Sequence, residues 1–179
     1  MADLQNYEFV VSQKMEGKWV VRRVLAVMGY ILFALAFFTV GIVTRLGVPM
    51  LALTPLFLWM LIFFTWRYTR PEYEITTVSN SLRFAIIYGS RTRRPQLEVE
   101  FRKMQKIAPL DETGRADVAR FKPDKTYCAA SCMTAPDLYY AIWEEEKTHC
   151  VFYFEVTEQL LKICKYYNSA ATVVVPVSR

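Results

Sequence analysis

The sequence has a single histidine, His149, and two long apolar stretches that contain no Asp, Glu, Lys, Arg or His. Nucleophilic catalysis needs a base that a third group orients, and neither a serine-centred turn nor a glycine-rich phosphate loop accompanies this histidine. Transport pathways and proton relays usually need ionisable groups at depth in the membrane, and these stretches lack them. The sequence therefore argues against an enzyme, and we expect no catalytic residue and no cofactor.

The spacing of the cysteines argues against a metal site. Cys128 and Cys132 lie in a predicted strand, where a separation of four residues puts the backbones ~13 Å apart. One zinc ion with bonds of ~2.3 Å cannot bridge that distance. Only a helix over residues 126–133 would bring the two thiols together. The adjacent His149 and Cys150 would face opposite sides of their own strand, so buried apolar cysteine is the simpler interpretation.

The excess of basic residues is small. The chain has 22 Lys and Arg against 17 Asp and Glu, a formal net charge of +5 over 179 residues. A nucleic-acid-binding protein would concentrate its basic residues on one face, so no nucleic-acid partner is expected. The charge is compatible with a position next to an anionic membrane leaflet.

Residues 24–43 and 48–66 are the two apolar stretches, joined by a short connector that contains Arg45. Each is close to the roughly 20 residues that a helix needs to cross a ~30 Å hydrocarbon core. They predict a transmembrane hairpin. Basic residues flank its outer ends and favour a cell-membrane protein with both termini in the cytoplasm, where thiols stay reduced. The predicted interface anchors are Trp19, Arg22, Arg23, Trp66, Arg67, Tyr68 and Arg70.

The N-terminal segment, residues 1–23, precedes the hairpin on the cytoplasmic side. Tyr7, Val11, Met15 and Trp19 recur every four residues, with polar side chains between them. This spacing is typical of an amphipathic helix lying on the membrane interface. A partly ordered terminus is the alternative.

From residue 71 the apolar period changes from helical to two, the period of strands. Strands are predicted over 73–77, 82–88, 97–101, 104–108, 126–133, 138–143 and 150–154, with a long loop over 111–125. A helix follows over 157–168, and residues 169–179 form a tail. Residues 71–168 thus predict an α+β domain that is mainly antiparallel β.

This order of strands and one C-terminal amphipathic helix resembles a pleckstrin-homology-like (PH-like) domain. The resemblance rests on residues 73–80, on the strand ending at Gly89 with the basic loop after it, and on residues 152–155 leading into the helix. With the hairpin in front, the chain is similar to bacterial two-span membrane proteins that carry such a domain on the cytoplasmic side. The resemblance implies a half-open barrel capped by the helix, able to bind lipid headgroups or peptides. Phosphoinositide-binding relatives use basic residues between their first two strands, and the turn 79–81 has none.

A basic cluster is the best candidate contact surface for lipid or a partner protein: Arg91, Arg93, Arg94, Arg102, Lys103 and Lys106. A loop that is merely solvated is the alternative. The leading hypothesis is a non-enzymatic, membrane-tethered interaction or scaffold protein, whose partners are membrane lipids and an unknown protein. The alternatives are lipid-headgroup or small-ligand binding through the basic loop, and a small accessory subunit of a membrane complex acting through its hairpin. Homo-oligomerisation stays open.

Overall fold

The computed structural model describes residues 6–14, 16–89 and 92–177. The chain divides into two compact units. One unit contains the residues up to 13 together with those from 72 onward, and the other contains residues 14–71. The apolar unit is therefore an insertion in the sequence of the β-rich unit.

The inserted unit contains two helices, α1 (Lys18–Val43) and α2 (Gly47–Thr65), followed by a 3-10 turn at Trp66–Thr69. Both helices are long and apolar enough to cross a membrane. They pack closely where Gly41 of α1 meets the Met50 side chain, and the Tyr30 hydroxyl lies 2.6 Å from that of Thr65. α1 starts before the predicted residue 24 because the basic residues ahead of the apolar stretch already belong to the helix.

The first sheet has the strand order β1 (Asn6–Ser12), β2 (Pro71–Val78), β3 (Ser81–Tyr88) and β4 (Thr92–Glu100). The amphipathic helix predicted for the N-terminal segment is wrong for residues 6–12, whereas the alternative of a partly ordered terminus stays untested. These residues form a strand that runs antiparallel to β2, from Asn6 opposite Val78 to Ser12 opposite Glu72. Met15, part of the same prediction, lies outside the described residues.

The second sheet has the order β5-β7-β8-β6, formed by β5 (Lys106–Pro109), β6 (Lys125–Ala129), β7 (Leu138–Glu145) and β8 (Thr148–Glu155). β6 runs parallel to β8, whereas β7 is antiparallel to both β5 and β8. The strand predicted over 126–133 ends at Ala129. A helix over 126–133 is likewise absent from the described chain, so the arrangement that would have joined Cys128 to Cys132 does not form.

Two helices complete the β-rich unit. α3 (Glu112–Phe121) occupies the segment predicted to be a loop, and that prediction is wrong. Its N-cap is Asp111, whose Oδ1 accepts the Gly114 backbone N–H at 2.7 Å, and Val118 packs it onto the second sheet. α4 (Glu158–Tyr167) starts after the N-cap Thr157, as the sequence predicts.

The main core joins both sheets and α4. Its fully buried members include Leu82, Phe84, Phe152, Phe154 and Leu160. The tail pairs with β5 at Ile107, whose N–H donates to the Ala171 carbonyl and whose carbonyl accepts the Val173 N–H, both at 2.8 Å. The architecture is thus two apolar helices, antiparallel-rich sheets and a C-terminal helix, which confirms the predicted fold class.

Candidate functional site

The described residues of the predicted basic cluster do not form one surface. Arg91 lies outside the described residues. Arg93 and Arg94 are neighbours on β4, so their side chains point to opposite faces of the sheet. Arg93 forms ion pairs with two glutamates, whereas the Arg94 guanidinium stacks over the Tyr88 ring at 5.7 Å.

The three remaining cations of that cluster follow β4 in the chain. Arg102 and Lys103 lie in the 3-10 turn Phe101–Lys103, where Lys103 Nζ is 3.6 Å from a Glu100 carboxylate oxygen. Lys106 opens β5 and donates a hydrogen bond to Asp117 of α3. This bond is the main cause of a lowered pKa at Asp117 and of a raised pKa at Lys106. Lys106 therefore anchors α3 to the second sheet.

The predicted interface residues stack in pairs within the helical unit. The Arg22 guanidinium lies 5.5 Å from the Trp19 ring centroid, Arg23 lies 5.3 Å from that of Trp66, and Arg67 lies 5.2 Å from that of Tyr68. Arg70 directly follows the 3-10 turn. Stacking of this kind suits the boundary between hydrocarbon and water, and the anchoring role stays a prediction.

A groove of about 480 Å³ lies on the outer face of the first sheet, where the pairing of β3 with β4 shifts by one residue between Phe84 and Ala85. It was not predicted. Its polar lining comes from β2, β3 and β4: Glu74, Thr76, Arg83, Gln96 and Glu98. The bulge leaves Gln96 without a paired residue on β3, so the strand pairing is locally disrupted where the groove lies.

Two sets of ion pairs lie in or beside this groove. Arg83 Nε and Nη2 both donate to Glu98 Oε1, at 3.0 and 2.9 Å. Arg93 Nε lies 3.1 Å from Glu74 Oε2, and its Nη2 lies 3.6 Å from Glu8 Oε1. The sequence signal for this site is limited to alternate glutamates on β2 and β4, two strands that β3 separates in the sheet.

Glu74 differs from the other acidic residues because it is only 6% exposed. Its Oε2 receives no hydrogen bond in the described chain, since the Arg93 ion pair lacks the alignment of one. Its Oε1 accepts one long hydrogen bond, from the Thr76 hydroxyl at 3.4 Å. A buried carboxylate with so few donors retains capacity to bind a further cationic donor.

Cys150 and Cys164 are buried, as the interpretation of apolar cysteine expects, whereas Cys128 and Cys132 are only half-buried. All four cysteines are free thiols, and burial raises the pKa of Cys164 to about 12. His149 stacks on Phe121 at 4.6 Å, and its Nδ1 lies 2.9 Å from the Phe121 carbonyl oxygen. Over residues 6–14, 16–89 and 92–177, no three His, Cys, Asp or Glu side chains are grouped so that they could hold a metal ion.

Antiparallel-rich sheets followed by a C-terminal helix fit the predicted PH-like domain, although the sheets have eight strands and β6 runs parallel to β8. Residues 5–173 match the family described as bacterial PH-like domain (DUF6106), and the chain belongs to this family. The matched region spans β1, both apolar helices and α4. No curated protein and no solved structure matches the chain.

Proposed function

We propose that this protein is a non-enzymatic, membrane-tethered interaction or scaffold protein whose PH-like domain works at the cytoplasmic surface of the cell membrane. The two apolar helices would act as its anchor, and its PH-like domain would recruit a protein partner. Membrane lipids would surround the hairpin.

The observation that supports this most strongly is the position of the hairpin between two paired strands. β1 and β2 are neighbours in one sheet, and the chain between them forms α1 and α2. If both helices cross a membrane, both ends of the hairpin must return to the same side, because one folded sheet holds them. Basic residues at those ends favour the cytoplasmic side.

The interaction role is supported by the pairing of the cations. Arg93, Lys103 and Lys106 each face a carboxylate, which lowers their availability for anionic lipid headgroups. Among the described residues of the basic cluster, this leaves Arg94 and Arg102 for lipid binding, and Arg91 lies outside the described residues. The outer face of the first sheet instead offers a groove with directional charged groups, which suits recognition of a protein.

Topology can be tested with single cysteines in a background where the four native cysteines are replaced by serine. Arg45→Cys places a thiol in the connector between the helices, and Glu146→Cys places one in the β7–β8 turn. An impermeant maleimide applied to intact cells should label Cys at position 45 and should reach position 146 only after permeabilisation. Labelling of position 146 from outside, or recovery of the protein in the aqueous fraction, would refute the proposal.

The accessory-subunit alternative requires the hairpin itself to make the contacts. Exchange of residues 18–65 for an unrelated two-helix hairpin should leave partner proteins co-purifying with the PH-like domain. Loss of these partners, with the domain still folded, would favour the alternative.

A further inference from the structure

We propose that the outer face of the first sheet binds a basic segment of a partner protein, with one lysine or arginine side chain entering the groove beside Glu74. This inference rests on the proposed function as an interaction protein and assigns the surface and the chemistry of the partner. Neither follows from the basic cluster that the sequence indicated.

The charge of this face is opposite to that of the whole protein. Glu8 lies opposite Thr76, Arg83 opposite Glu98, and side chains two apart on a strand share a face. Among the described residues, the outer face therefore collects five glutamates against two arginines: Glu8, Glu72, Glu74, Glu98 and Glu100 against Arg83 and Arg93. In a chain of net charge +5, an acidic sheet face favours a basic partner by electrostatic complementarity.

Glu74 gives this face a specific recognition point. Its carboxylate lines the groove, is almost completely withdrawn from water, and has an oxygen that receives no hydrogen bond in the described chain. A buried carboxylate is stabilised most by a charged donor, and an ammonium or guanidinium group supplies one. The exposed glutamates around it could attract a basic segment, but Glu74 is the group that a bound cation would satisfy.

The protein's own Arg93 competes with a partner cation for the Glu74 carboxylate. Its side chain is 64% exposed and extends over the strand surface to reach Glu74 and Glu8. Because the guanidinium end of the Glu74 ion pair is exposed, a partner cation can take its place, and the buried carboxylate then keeps a cationic partner. Removal of Glu74 and removal of Arg93 should therefore change the affinity in opposite directions.

The experiment uses the full chain in nanodiscs of uncharged phosphatidylcholine and a fluorescein-labelled pentalysine peptide, with binding followed by fluorescence anisotropy. Wild-type protein should bind this peptide and not a matched pentaglutamate peptide. Glu74→Gln, which keeps the shape of the side chain, should weaken binding at least about tenfold. Arg93→Gln should tighten it several-fold.

Glu145→Gln is the matched control, because Glu145 is an exposed glutamate at the end of β7 on the other sheet. It should leave the affinity unchanged. An equal loss with Glu145→Gln would mean that the peptide senses only overall charge, and wild-type affinity in Glu74→Gln would mean that the groove is not used. Either result overturns the inference. If Glu74→Gln fails to fold, unchanged or weaker binding by Arg93→Gln also overturns it.

These failures differ from failure of the proposed function. Protein that inserts into nanodiscs with the expected topology but ignores the basic peptide contradicts only this binding surface. Protein that does not insert contradicts the membrane-tethered role itself.

Discussion

Ser12 of β1 lies opposite Glu72 of β2, although the connector and both apolar helices separate them in the chain. The strand that ends at Ser12 is an edge of the first sheet, yet it contributes Val11, only 3% exposed, to the core. The PH-like domain is therefore incomplete without residues that precede the hairpin.

Truncation of Val11 tests this contribution. Val11→Ala removes a buried side chain from the sheet interior and should lower the free energy of unfolding by roughly 2 kcal/mol. Val10→Ala is the control, because Val10 is 43% exposed on the opposite face and should change it by less than about 0.5 kcal/mol. The slowest-exchanging amides of β7 and β8 report unfolding of the domain in hydrogen-exchange measurements. Equal effects of the two substitutions would be inconsistent with the strand.

Gly114 tests the docking of α3. A Cβ at this position would lie 2.5 Å from the Pro109 carbonyl oxygen and 2.8 Å from Tyr140 Cε1. The carbonyl is backbone and cannot rotate away, so Gly114→Ala should displace α3 and destabilise the domain by about 1–3 kcal/mol. Gly29→Ala, with nothing within 4 Å of the new methyl group, should not affect the domain. Unchanged exchange protection in α3 of Gly114→Ala would contradict the packing described.

Acid should loosen α3. The hydrogen bond from Lys106 lowers the pKa of Asp117, and the N–H of Gly114 lowers that of Asp111, both from an ordinary value of 3.8. A lowered pKa in the folded state gives stability that is present above about pH 4 and is lost as the pH falls through the folded-state values. Hydrogen exchange, corrected for intrinsic rates, should show α3 losing protection before β7 and β8.

The control for this acid response is Asp117→Asn. This variant should be less stable at pH 7, because Lys106 and Tyr140 lose their charged acceptor, and its stability should depend less on pH below pH 4. Parallel acid curves for variant and wild type would assign the response to other carboxylates.

The thiols should differ in reactivity. Thiolate is the nucleophile, and a pKa of about 12 leaves Cys164 with a thiolate fraction of roughly 10⁻⁴ at pH 8. Burial also raises the pKa of Cys150. Iodoacetamide should therefore modify the half-buried Cys132 first and Cys164 last, as peptide mass mapping can show. All four should react in urea, and fast labelling of Cys164 in the native protein would contradict its burial.

Most of the fold could be predicted from two features of the sequence. These are the alternation of apolar and polar residues in β2 and β3, and the two long apolar stretches. β1 was missed because a spacing of four residues fits both a helix and a strand: Tyr7 and Val11 share a face in either. Phe9, midway between them, favours the strand. The strand that pairs with β1 lies beyond the hairpin in the chain, so no nearby sequence pattern indicates the pairing. α3 was missed because its few apolar contacts, such as Val118, are diluted by charged residues.

The groove could not be predicted for a similar reason. In the sequence, Arg93 belongs to a predicted basic loop. Only the fold brings Glu8 of β1 and Glu74 of β2 beside it. The charge of a sheet face depends on which strands are neighbours, and that information is absent from any one segment.

Because the hairpin lies between β1 and β2 in the chain, the synthesis and folding of the two units are linked. Because β1 is synthesised first, it stays unpaired until the two helices and the start of β2 have been synthesised. Were only one helix to enter the bilayer, β1 and its neighbour would finish on opposite sides and the sheet could not close. If the two helices are the membrane anchor, a completed domain therefore indicates that both were inserted correctly.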